Sequence, residues 1–225
     1  MKPLVAPPSP SADRLSDAAY RAVLEALFDR RVPAGAFVSQ GDLVRITGSP
    51  VGPLRDALKV LEADGVLEIH PRSGIQFVRP GVELTRSTYQ FRGILERAAV
   101  RVFAESAPMP DIARIAEAHH DMLGDLARAP DADSLPDRAA TLETMFHRGV
   151  IGALDNRQID AAYRRLATLL RIIRLDSAWS PRTLETTMRE HLNVLDRCRA
   201  RDPDGAEDAM RQHLNGALQR HLKVL

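Results

Sequence analysis

The chain has 225 residues, enough for one large domain or two modest ones, with a core that needs no disulfide or metal to hold it. Hydrophobic residues are 44% and aromatics only 4%, which favours an Ala-, Leu- and Arg-rich helical protein over a β-sandwich or barrel. Lys and Arg number 31 against 30 Asp and Glu, so bulk charge is no evidence for a nucleic-acid partner and any such evidence must be local. The single cysteine, Cys198, excludes an intramolecular disulfide framework and points to a reducing, cytoplasmic setting. No stretch approaches the roughly 18 apolar residues of a membrane span, and the Pro-rich start lacks the apolar core of a signal peptide.

In chain order, residues 1–12 read as a solvated tail. A first helix is predicted from Asp13 to about Arg30, with Leu15, Ala18, Ala19, Ala22, Val23, Ala26 and Leu27 at helical spacing, and Pro33-Ala34-Gly35 ends it. A short second helix spans Ser39 to Ile46, with Ser39 as N-cap, and Thr47-Gly48-Ser49-Pro50 is a turn. A third helix runs to Asp64 with Leu54, Ala57, Leu58 and Leu61 on one face, and Gly65 stops it. Val66 to Ile69 and Ile75 to Val78 then read as two short strands joined by His70-Pro71-Arg72-Ser73-Gly74. Arg79-Pro80-Gly81 breaks the pattern, so we expect a domain over 13–79, a linker at 80–82 and a helical domain over 83–225. The second part carries breaks at Pro108 and Pro110, Pro130 to Pro136, Asp155-Asn156, Ser180-Pro181 and Asp202-Pro203. Those breaks predict six helices joined by short loops, hence an antiparallel bundle. The expected fold is mainly α: an N-terminal winged helix-turn-helix followed by that bundle.

The order helix, helix, turn, helix, hairpin is the layout of a major-groove reader. Arg55 and Lys59 share the outer face of the third helix, Arg45 lies in the second, and the N–H groups near Ser39 and Gln40 can meet a phosphate. The hairpin tip Arg72-Ser73-Gly74 would be a wing. The same cations also fit a solvated face, since charges over residues 37–80 cancel; the order of elements carries the inference.

Three histidines lie on apolar stripes of three different helices: His147, His191 and His213. Glu143 stands one turn before His147 on the same face. Burying these stripes brings one carboxylate and three imidazoles toward one interior, a donor set that suits divalent zinc, nickel or manganese. Each is also an acceptable core histidine with one hydrogen bond; the parallel contexts favour a site. Trp179 falls at a helix junction, a place for a pocket mouth, though a tryptophan there is more often a packing residue.

Two segments resemble a known family. Pro53-Leu54-Arg55-Asp56-Ala57-Leu58-Lys59-Val60-Leu61-Glu62-Ala63-Asp64-Gly65 is similar to the recognition-helix segment of GntR-type bacterial repressors, and Pro71-Arg72-Ser73-Gly74 is similar to their wing. Arg92-Gly93-Ile94-Leu95-Glu96, Phe146-His147, Asn156, Glu190-His191 and Ala206 to His213 resemble the FCD effector domain of the FadR-like branch. The chain departs from the family pattern at Pro50-Val51-Gly52, where Ser-Arg-Thr is usual, at Gly41, where an arginine is usual, and at Glu143, where the family has Asp.

The resemblance implies a ligand-responsive regulator, a repressor acting as a homodimer on a double-stranded operator. It implies a divalent metal on Glu143, His147, His191 and His213, and a small carboxylate metabolite as effector, with Arg92 and Asn156 at its site. Asn156 also reads as a helix-start residue, and Arg92 also fits an intrahelical pair with Glu96. The alternative from another class is a metal-dependent helical enzyme on the same four residues, with Glu143 as general base.

Overall fold

Two units divide the chain, Met1–Pro80 and Gly81–Leu225. The computed structural model describes residues 12–175 and 180–223; the expected tail, through residue 11, and Trp179 lie outside them.

In the first unit, α1 (Ala12–Phe28) packs on α2 (Gln40–Thr47) and α3 (Val51–Ala63). Ala19, Val23, Ala26 and Leu27 of α1 are buried at helical spacing against Leu43 of α2 and Leu54, Ala57, Leu58 and Leu61 of α3. Ser39 caps α2 as expected. Its Oγ accepts the Asp42 N–H at 3.1 Å while the Asp42 carboxylate accepts the Ser39 N–H at 3.0 Å, a complete capping box. Gly48 closes α2 with φ +68°, a left-handed cap that favours glycine.

The predicted hairpin is present as β2 (Leu67–His70) and β3 (Gly74–Phe77), pairing Leu67 with Phe77 and Ile69 with Ile75. The sequence reading did not include β1 (Phe37–Val38), which adds to the free edge of β3 to give the order β1-β3-β2. Two residues are too few to show alternation, so this strand leaves no periodic signal. It does explain Gly74. There φ is +151°, and a Cβ would lie 2.7 Å from Cε1 of Phe37 and 2.9 Å from the Val38 carbonyl oxygen. Glycine at the wing is thus required by β1 packing, in addition to any ligand approach.

The second unit is helical throughout its described residues: α4 (Val82–Ser106), α5 (Met109–Arg128), α6 (Leu135–Gly152), α7 (Arg157–Arg174), α8 (Pro181–Arg199) and α9 (Pro203–Leu222). Breaks fall where Pro and capping residues predict them. Asn156, Ser180 and Asp202 cap α7, α8 and α9, and proline opens both α8 and α9. The long α4 packs most extensively on α9 and also meets α6, α7 and α8, while α5 lies on α6 and α8. The mainly α architecture is the one expected. Its apolar core, with Phe146 and Val150 fully buried, encloses Arg92, Glu96, His119, Glu143, His147, His191 and His213.

Gly74→Ala should destabilise the first unit by about 1–3 kcal/mol, from left-handed strain and the collision with Phe37. Faster amide exchange confined to residues 14–80 of the full chain would show it; unchanged protection of β1 and β3 would not fit this packing.

Candidate functional site

The outer face of α3 follows from its inner one. Because Leu54, Ala57, Leu58 and Leu61 face the core, Val51, Arg55 and Lys59 face solvent. Lys59 Nζ lies 3.6 Å from Asp56, and Arg45, in the last turn of α2, pairs with Asp42. Arg72 and Ser73 are exposed at the β2–β3 tip, where Arg72 itself has φ +66°. The Ser39 side chain is spent on the cap, so what remains for a phosphate at this end is the first-turn N–H groups around Gln40. The structure therefore places Arg45, Arg55, Lys59, Arg72 and Ser73 on the exposed surface of the first unit.

In the second unit, Glu143 and His147 of α6, His191 of α8 and His213 of α9 each direct one donor atom to a common point, all within 4.8 Å of one another. His191 Nε2 is 3.1 Å from Glu143 Oε1 and 3.3 Å from His213 Nε2, and His147 Nε2 is 3.8 Å from Glu143 Oε2. Phe146 stacks on His191 with ring centres 4.1 Å apart, and His147 lies over His213 at 5.3 Å.

Each ring is oriented from behind. His147 Nδ1 is 2.6 Å from Glu96 Oε2, His213 Nδ1 is 2.8 Å from Glu190 Oε2, and His191 Nδ1 is 3.0 Å from His119 Nε2. His119 in turn donates from Nδ1 to the Ile115 carbonyl at 2.7 Å, which leaves its Nε2 to accept from His191. These partners fix the tautomers so that all three imidazoles present an Nε2 lone pair inward. A further layer holds the carboxylates: Arg92 Nε and the Tyr163 hydroxyl donate to Glu96 Oε1 at 2.8 and 3.1 Å, and Arg220 forks onto Glu190 at 2.7 and 2.8 Å. Arg174 of α7 pairs with Glu143.

The electrostatics favour deprotonated donors. Burial and the Arg92 charge hold His147 down at about 3; burial and His191 hold His213 at about 4. Burial raises Glu143, but Arg174, His191 and His147 outweigh it and keep the carboxyl well below its usual range. Donors bound about 2 Å from one ion stand at most about 4 Å apart, so this set closes on a divalent metal after a small contraction and once Arg92 Nη2, 2.6 Å from His147 Nε2, gives up that lone pair.

The two readings of Arg92 prove compatible. It pairs with Glu96 one turn on, and its Nη2 also donates to His147 Nε2 at 2.6 Å. Asn156 is elsewhere. It is exposed, and its Oδ1 accepts the Gln158 and Ile159 N–H groups at 2.9 and 3.3 Å, the helix-start role. Sequence reasoning gave no role to His119, Arg174, Glu190 or Tyr163. A signal existed for His119, which shares the apolar stripe of Ile112, Ile115, Met122 and Leu126. None existed for Arg174, whose partner Glu143 lies on another helix.

The helical unit also matches a known family. The FCD domain model matches residues 87–216. The chain belongs to the FCD-domain GntR regulators. A curated relative, the probable D-xylose utilization operon transcriptional repressor of Paenarthrobacter nicotinovorans, is 26% identical over 184 residues, covering 82% of this chain and 78% of its own. Among solved structures, a GntR transcriptional regulator from Rhodococcus sp. RHA1 superposes with a TM-score of 0.74 at 18% identity, covering 95% of this chain and 99% of that one. The Zn2+-bound FCD domain of TM0439 superposes with a TM-score of 0.51 at 19% identity over 64% of this chain and 96% of that one. No helix among the described residues of this FCD regulator is long and apolar enough to cross a membrane.

Glu190→Gln should weaken zinc binding by the full chain by about 10–100-fold while leaving it folded, because His213 loses its orienting carboxylate. Competition with a chromophoric chelator measures it; an unchanged affinity would mean that His213 needs no support from behind.

Proposed function

We propose that this FCD regulator is a ligand-responsive repressor that binds a double-stranded operator as a homodimer in the cytoplasm, and that its helical unit holds a divalent metal beside a small carboxylate effector. The observation that carries this reading is the buried set Glu143, His147, His191 and His213, with a hydrogen-bonded partner behind every imidazole. A structural core has no need to aim three Nε2 lone pairs at one point. The zinc bound by the TM0439 domain and the repressor role of the Paenarthrobacter relative are in keeping with it.

An ion held there supplies a Lewis-acidic anchor for a carboxylate oxygen. The chain's own residues do the rest. His119, Glu96 and Glu190 lock the rings, and Arg92 brings a guanidinium to the same point through His147. The apolar shell around Phe146 strengthens each charge–charge contact by excluding water. Regulation follows if effector binding favours one arrangement of the dimer and so one spacing of the reading heads. On the DNA side, Arg55, Lys59 and Arg45 meet backbone and base edges while Arg72 and Ser73 of the wing and the Ser39–Gln40 end of α2 meet phosphate.

The enzyme alternative needs Glu143 as a base. The Arg174 pair and the depressed carboxyl make it a poor one.

Purified protein should select genomic fragments with a symmetric site and bind them with a steep negative salt slope. Arg55→Ala should lower affinity by about 1–3 kcal/mol with the wild-type fold retained. Addition of an effector acid should shift operator affinity by roughly 5–150-fold at fixed salt. Anisotropy titration reads all three; weak, sequence-blind binding that no acid alters would overturn the reading.

A further inference from the structure

From Pro50 to Leu54, where α3 begins, no side chain carries a polar atom: the run is Pro-Val-Gly-Pro-Leu. Pro50 holds the N-cap position without a side-chain hydrogen bond, and the first side chain of the helix able to donate one is Arg55. Leu54 is buried, but Val51 is 51% exposed. A β-branched residue half in water adds little to α3, since it is a weak helix former and covers little of the core. The fold has no use for Gly52 either. Its backbone is helical, and a Cβ there would meet nothing within 4 Å. Glycine inside a helix is destabilising relative to alanine. With no turn or packing contact that requires it, Gly52 points to something that approaches from outside.

Charge and position name that occupant. Val51, Arg55 and Lys59 follow one another at four-residue intervals on the exposed side of α3. Lys59 pairs with Asp56 at 3.6 Å, whereas the Arg55 side chain has no ion pair or hydrogen bond among the described residues. The stripe therefore runs from a bare apolar group to a free guanidinium to an ammonium. A DNA duplex offers the matching series: a methyl group on one base edge, paired acceptors on another, and phosphate beyond. In the major groove only thymine presents a methyl, so a side chain without donors distinguishes bases there through that group. Four residues of helix advance about 6 Å, a little under two base-pair steps of roughly 3.4 Å.

We propose that Val51 reads a thymine methyl in the major groove while Arg55 reads a guanine one or two base pairs away, with Gly52 letting the start of α3 come close to the base edges. Each half-site then carries a T·A pair at that spacing from a G·C pair. This rests on the reading of the first unit as the operator-binding head.

The test uses the full chain to select duplexes from a random pool. The selected site is then resynthesised with deoxyuridine at one thymine at a time, which removes the C5 methyl and nothing else. Anisotropy titration at fixed salt should find one thymine per half-site, one or two pairs from a guanine, where deoxyuridine weakens wild-type binding about three- to fivefold, the worth of one buried methyl. In Val51→Ala the same replacement should cost little. That variant should melt with the wild type and bind random DNA equally well, because no phosphate contact is removed. A deoxyuridine penalty as large in Val51→Ala as in the wild type, or none at any thymine of a tightly bound site, would overturn the proposal and leave operator binding standing. If the chain selects no sequence, both fall.

Discussion

A buried imidazole or carboxylate without a partner costs several kcal/mol, and the helical unit buries four imidazoles and two carboxylates around one point. Every helix of that unit answers part of the cost. Arg92 and Glu96 come from α4, His119 from α5, Glu143 and His147 from α6, Tyr163 and Arg174 from α7, Glu190 and His191 from α8, His213 and Arg220 from α9. The network links all six helices, so removing one member leaves another buried group without its partner. A ligand that changes any of these contacts acts on all six helices together, which is the kind of coupling an effector domain needs.

The first unit works at the opposite extreme of solvation. Its cations are exposed and held by carboxylates a turn away, Arg45 by Asp42 and Lys59 by Asp56. Exposed pairs of this kind contribute roughly 0–1 kcal/mol, so phosphate can displace them at little cost. A neutral reading head therefore does not argue against DNA. The pairs keep the free surface from accumulating positive charge while leaving the guanidinium and ammonium groups in place.

What could be read from the sequence was what repeats locally. The α2–α3 order stood out through Ser39, Gly48 and Pro50, and the six bundle helices through Pro and capping residues at their starts. Glu143 and His147 were legible because one helical turn separates them, and His191 and His213 because each interrupts an apolar stripe. The residues that orient them were not. Arg174 meets Glu143, and Glu96 meets His147, across helices that no periodicity relates. His119 and His120 are adjacent, and neighbours on a helix face different ways, so only His119 is buried. Asn156 was legible as a helix start, and its side chain is a cap. β1 was too short to register.

The donor set is built from nitrogen and oxygen only. Cys198, on the same buried stripe of α8 as His191, takes no part in it, and burial pushes its thiol up to about 12. Thiolates are what peroxides attack, and zinc held by cysteine is lost when they are oxidised. A centre of imidazoles and a carboxylate, with the chain's sole sulfhydryl protonated and shielded, keeps its composition under oxidants that would dismantle a thiolate site. The composition of this buried donor set is thus independent of the redox state of the cell.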